Sequence, residues 1–170
     1  IGSPAGAGSV LQAGSSYTVT GGGTGVGSAS DVCGFANVQV TGDFLMTARL
    51  EAITGTITAA TAGLMVRSAT TANERAVMLL VSPTRIRTRT RFTAGASTVA
   101  STPYDYTSVP WPVSLKMTRV GDIVTTYFLQ GTNWQVIDTD TVALGTAVLI
   151  GLYATFGASG STTVDAVFTQ

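Results

Sequence analysis

The 170-residue chain has no histidine, one cysteine and one lysine, and only 11% of its residues carry charge. Without histidine, the Ser-His-Asp and Cys-His routes to an activated nucleophile and imidazole-based metal sites are all excluded. A lone Cys33 cannot close an internal disulfide, and in a strand context it is expected as a small buried hydrophobe. Nine basic and nine acidic residues cancel, which argues against a nucleic-acid binder, for which a basic excess is needed. The longest apolar run, near 147–152, falls well short of the roughly 18 residues of a membrane-crossing helix, so no membrane insertion is expected. No long stretch repeats its apolar residues at helical spacing, and little helix is expected. No charged segment followed by an apolar block opens the chain. That predicts no signal peptide, and Ile1 in place of Met suggests a mature or excised fragment.

What the chain does have is alternation. From Val113 to Phe156, Leu115 and Met117 alternate with Ser114, Lys116 and Thr118, the two-residue period of a half-buried strand. Val120-Gly121-Asp122 then Gln130-Gly131-Thr132-Asn133 break the pattern at about ten-residue intervals, as hairpin turns do. Upstream, Tyr17 to Thr20, Val38 to Val40, Phe44 to Glu51, Ala62 to Arg67, Arg75 to Val81 and Ile86 to Phe92 read as further strands, and Thr163 to Phe168 as the last. Residues 1–16 are expected to run along a sheet edge, and 21–30 (GGGTGVGSAS) to form a flexible loop. That loop lacks the Lys-Ser/Thr ending of a phosphate cradle. The whole chain is predicted to be one all-β domain, residues 1–170, an antiparallel sandwich of two sheets.

These landmarks, in order, resemble the concanavalin A-like lectin/glucanase superfamily, and within it laminin-G-like and DUF1349-type modules. The likeness is carried by Ile1-Gly2 with Gly8-Ser9, Ser30-Asp31, Thr41-Gly42-Asp43-Phe44 and the distinctive Ala62-Gly63-Leu64-Met65-Val66-Arg67. It continues through Leu115 to Asp122, Gly131-Thr132-Asn133-Trp134, Ile150-Gly151-Leu152 and Val164 to Phe168. The resemblance implies a jelly roll with one concave sheet and a ligand held on that sheet or on its rim loops. Two departures stand out: Gln130-Gly131 replaces an Asp-Gly before the tryptophan, and Cys33 replaces a bulkier residue.

Two sets of side chains are candidates for binding. In Arg85-Ile86-Arg87-Thr88-Arg89-Thr90-Arg91, an extended strand puts four guanidinium groups on one face, about 7 Å apart. Such a stripe needs an offset. A carboxylate, sulfate or uronic acid ligand would supply it. So would Glu51, Glu74, Asp31 or Asp43 on neighbouring strands, or placement at a charge-protected edge. Arg67 is expected to point the same way. The second set comprises the aromatics Tyr104, Tyr106, Trp111 and Trp134, placed in or beside loops where rings can stack on sugars; Trp134 also fits beneath its hairpin turn. Phe44, Phe128, Phe156 and Phe168 are assigned to the core.

Asp31, Asp43 and Asp122 are candidate calcium ligands, and the two that follow glycine turns, Asp43 and Asp122, also suit capping their own backbone. Glycoside hydrolysis needs two carboxylates. The Glu-x-Asp-x-Glu motif of the glucanase branch is absent, and Asp138 and Asp140, on one face of a strand, read as a solvated hairpin end. The expectation is therefore a non-enzymatic, extracellular or cell-surface carbohydrate-binding module. The alternative is a structural module that packs against copies of itself or neighbouring domains, as its low charge and mean hydropathy of +0.37 allow.

Overall fold

The computed structural model describes residues 1–54, 59–101 and 111–170, and no helix occurs among them. In chain order the strands are β1 (Ser9–Ala13), β2 (Ser16–Gly22), β3 (Gly34–Thr41), β4 (Phe44–Thr54), β5 (Thr61–Arg67), β6 (Ala76–Ser82) and β7 (Arg85–Arg91). They continue as β8 (Val99–Ala100), β9 (Val113–Val120), β10 (Ile123–Gln130), β11 (Asn133–Thr141), β12 (Ala147–Thr155) and β13 (Thr163–Thr169). One sheet has seven strands in the order β1-β2-β13-β4-β9-β10-β11, and the other six in the order β3-β12-β5-β6-β7-β8. Every pairing is antiparallel. This is the antiparallel two-sheet sandwich that the alternation predicts, in the jelly-roll form that the resemblance implies.

The turns follow their glycines. Val120 pairs with Ile123 and Gln130 with Asn133, so each hairpin closes through two residues. Gly121 and Gly131 supply the positive φ, +59° and +62°, which a side-chain-bearing residue adopts only at a cost.

The main core lies between the sheets. The seven-stranded sheet contributes Leu50, Leu115, Met117, Phe128 and Phe168, and the six-stranded sheet Leu64, Val66, Val77, Leu79 and Ile86. Each is at most 1% exposed, and a buried side chain of this size contributes about 1.5–3 kcal/mol through its removal from water. Phe128 and Phe168 are fully buried, Phe156 nearly so, and Phe44 packs on the core's rim, as expected.

A second core was not expected. All seven residues of β6 are buried, which an antiparallel strand achieves only when both its faces are covered. On the face turned away from the main core, Met65, Met78, Leu80 and Tyr153 pack with Val26 and Cys33. The 23–33 segment is therefore a strap laid across the outside of the six-stranded sheet. This corrects the expectation of a flexible loop: its glycines allow close approach to the sheet, and Val26, Asp31 and Cys33 anchor it. Cys33 is fully buried, as predicted, and desolvation raises its thiol pKa to about 12.

Candidate functional site

The arginine stripe lies beneath this strap. Arg91 grips Asp31 with both Nη atoms, at 2.7 and 2.6 Å, and Arg67 donates to the same carboxylate from Nη1 at 2.9 Å. All three side chains are fully buried. Two guanidinium groups against one carboxylate leave a positive excess, which backbone carbonyls offset. Arg67 donates to Ala69 and Thr71, and Arg91 to Ser28, Glu74 and Ala96. Of the readings open for the stripe, pairing with Asp31 is realised by Arg91, and Arg67 joins the same network. Neither Arg67 nor Arg91 presents a surface to a ligand. Arg89 is half-buried and donates to Thr98 Oγ1 at 3.0 Å, and Thr98 in turn donates to Gly27 of the strap. Arg87 is half-buried and Arg85 exposed.

The calcium candidates are occupied otherwise. Asp31 is enclosed by the two arginines, which overturns it as an open metal ligand, because its oxygens already accept charge-assisted hydrogen bonds. Asp43 accepts from the Gly121 amide at 2.8 Å, tying one turn to the next, and Asp122 lies 3.7 Å from Arg119. No cluster of three metal-binding side chains occurs among the described residues.

Asp138 and Asp140 are not a solvated hairpin end; they sit within β11. A register shift between Thr126 and Tyr127 on the paired strand sets Asp138 opposite Thr126, which faces the interior. Asp140 Oδ2 accepts a short hydrogen bond from buried Thr90 of the other sheet. Next to it, the Thr88 and Thr126 hydroxyls meet at 2.6 Å, so a polar seam bridges β7 to β10 and β11. Burial, then the charge of Asp140, raises the Asp138 pKa above its usual 3.8.

Tyr104 and Tyr106 lie outside the described residues, and Trp111 is exposed just ahead of β9. Trp134 stands apart from Arg67 and the arginine stripe, on the outer face of the seven-stranded sheet. Across β9 and β10, Lys116 pairs with Tyr127, and across β10 and β11, Leu129 pairs with Trp134. This register lets both rings converge on the Lys116 ammonium, 4.1 Å from the Tyr127 centroid and 4.6 Å from that of Trp134. In β4, Thr47 sits opposite Lys116 and Arg49 opposite Ser114, while Thr169 of β13 sits on the other side of Arg49. Arg49 Nε is 3.3 Å from Glu51 Oε1, an oxygen that also accepts from Thr169 Oγ1 at 2.6 Å. A depression of about 330 Å³ is lined by Thr47, Arg49, Ser114, Trp134, Thr169 and Gln170. Of these side chains, sequence reasoning singled out Trp134 alone. Arg49, Ser114, Lys116 and Tyr127 all occupy polar positions of alternating strands, a signal that marks the outer face but not which strands adjoin.

A second depression, of about 350 Å³, is apolar. It opens between the sheets where β3 forms an edge, lined by Val10, Tyr17, Val38, Met46, Leu152 and Phe168 among others.

No family model and no curated protein sequence matches the chain. Solved structures do match in fold. A functionally unknown protein from Saccharomyces cerevisiae superposes with a TM-score of 0.74 at 14% identity, over 95% of this chain and 89% of that one. The carbohydrate-binding module CBM66 from Bacillus subtilis gives 0.61 at 14% identity, over 96% and 89%. A Bauhinia forficata lectin in complex with GalNAc gives 0.53 at 12% identity, over 95% and 88%. The fold occurs within enzymes too, among them a xylosidase. At these identities the likeness establishes architecture: the chain is a concanavalin A-like jelly roll, a fold it shares with lectins and carbohydrate-binding modules.

Proposed function

We propose that the chain is a non-catalytic carbohydrate-binding module of an extracellular or cell-surface protein, holding its glycan on the outer face of the seven-stranded sheet. The observation that carries this is the 330 Å³ depression: the exposed part of the Trp134 ring forms one wall, and Thr47, Ser114, Thr169 and Arg49 supply hydroxyls and a guanidinium. A sugar ring has one apolar C–H face and a rim of hydroxyls, so it needs an aromatic wall beside hydrogen-bonding groups. The fold's occurrence in carbohydrate-binding modules and lectins supports the same reading. Non-catalysis is supported by the lack of histidine and by the ties on the carboxylates. Glu51 is held by Arg49 and Thr169, and Asp140 by Thr90. Export is supported by a surface rich in hydroxyls and poor in lysine.

Affinity electrophoresis through a panel of soluble polysaccharides tests the site. At least one polymer should retard the wild-type chain, and Trp134→Ala or Arg49→Ala should weaken retardation by about tenfold or more, as loss of a central interface anchor does. Unchanged retardation in Trp134→Ala would remove the site, and no retardation by any polymer would remove the function.

One observation favours a second reading, association between copies. Val10, Leu11, Val38 and Leu45 are all more than half exposed. Val10, Leu11 and Val38 lie on edge strands β1 and β3, neither of which contains a charged residue.

A further inference from the structure

The carbohydrate-binding reading leaves the charge of the ligand open, and Lys116 bears on it. Lys116 is the chain's only lysine and is half-buried on the outer face of the seven-stranded sheet, opposite Thr47 on one side and Tyr127 on the other. Its ammonium is held by two aromatic rings, and among the described residues no carboxylate lies within ion-pair distance of it. Four of the arginines, by contrast, have a carboxylate beside them. Arg67 and Arg91 share Asp31, Arg119 neighbours Asp122, and Arg49 contacts Glu51. The acids of the same face are also engaged, since Asp165 accepts from Thr20 at 2.7 Å and Glu51 from Thr169. Ring contacts fix an ammonium in position without cancelling its charge. The result is a positioned, uncompensated cation adjoining the depression through Thr47 and Trp134. Arg49, with a side chain 54% exposed, stands inside that depression as a second cation.

We infer that this site takes an anionic glycan, whose sugar oxyanion, carboxylate or sulfate, is met by Lys116 and Arg49 while the ring packs on Trp134. The inference rests on the carbohydrate-binding function proposed above and specifies its substrate class. An oxyanion restores the charge balance that the protein leaves unfilled on this face, and charge-assisted hydrogen bonds are about twice as strong as neutral ones.

The test uses four polymers at 20 and 200 mM NaCl: polygalacturonate, the same polymer fully methyl-esterified, dextran sulfate and neutral dextran. The wild-type chain should be retarded by polygalacturonate or dextran sulfate far more than by the esterified polymer or dextran, and less so at the higher salt. Lys116→Met, which keeps the apolar stem on the rings, should weaken that retardation about tenfold, the scale of one hydrogen bond to a charged group. Lys116→Arg should preserve it and shows that the effect is one of charge rather than of packing. Polygalacturonate and dextran sulfate identify which oxyanion is read. Equal retardation by the acidic and esterified polymers, or polyanion binding indifferent to Lys116→Met, would overturn the anionic ligand and leave carbohydrate binding standing. Retardation by none of the four polymers would overturn the anionic ligand too. If a wider polysaccharide panel also gave none, carbohydrate binding would fall with it.

Discussion

Asp31 shows how much a single side chain can carry in a chain with so few charges. It is fully buried between Arg67 and Arg91, and it ties the strap to β5 and β7 at once. Replacing it with alanine leaves two guanidinium groups facing each other without a counter-ion, a change that costs about 3–5 kcal/mol. Urea denaturation should show a loss of that order for Asp31→Ala, whereas a loss under 1 kcal/mol would mean the carbonyls alone suffice. Asp138 makes the opposite case. Burial and Asp140 raise its pKa, so the folded chain holds this proton more tightly than the unfolded chain does. Its ionisation therefore opposes folding above the raised pKa, and that opposition vanishes below the ordinary value of 3.8. Asp138→Asn keeps the acceptor for the Thr139 amide and should raise the melting temperature at pH 7, with the gain shrinking to nothing below pH 3.8. A gain independent of pH would contradict the assignment. Spacing alone told that the four arginines share a face. It could not tell that Asp31, some 60 residues away, lies across Arg91 and joins it to Arg67 of another strand.

The strands themselves were legible wherever one face is wet. β9, β10 and β13 alternate cleanly, and β4 does so as far as Leu50, because one side packs and the other meets solvent. The two-residue turns at Gly121 and Gly131 were legible for the reason given by their φ angles. β6 carried a signal of another kind. Its unbroken AVMLLVS is the pattern of a strand covered on both sides, a signal that the sequence reading left unused. β1 and β8 were harder, being short edge strands with little apolar pattern. The edges also differ from one another. β11 carries Asp138, Asp140 and a register shift, features that discourage pairing with another chain. β1 and β3 carry none of these, and they flank the apolar opening lined by Val10, Val38 and Met46. Sedimentation velocity across a range of concentrations should show association of the wild-type chain and its suppression in Val38→Lys. A wild-type chain that stays monomeric at high concentration would rule out this edge as an assembly surface.

At the scale of the molecule, three layers are stacked: the strap, the six-stranded sheet and the seven-stranded sheet. Sequence reasoning found two of them, and so left the arginines either open to a ligand or paired with acids such as Asp31. Trp134 was legible as a ring near a turn, but its partnership with Lys116, Tyr127 and Arg49 depends on strand order, β4-β9-β10-β11, which alternation does not encode. The third layer also gives the protein a built-in reporter. Its only thiol, on Cys33, lies at the end of the strap among the side chains of the second core, and at neutral pH it is both inaccessible and protonated. A thiol-labelling reagent can reach it only after the strap lifts, so the labelling rate divided by the known reactivity of a free thiol measures how often that happens. If the strap peels away on its own, labelling will be faster than global unfolding permits, and Arg67→Gln will accelerate it while leaving the inter-sheet hydrophobic core intact. If the two processes keep pace, strap and sandwich form a single cooperative unit.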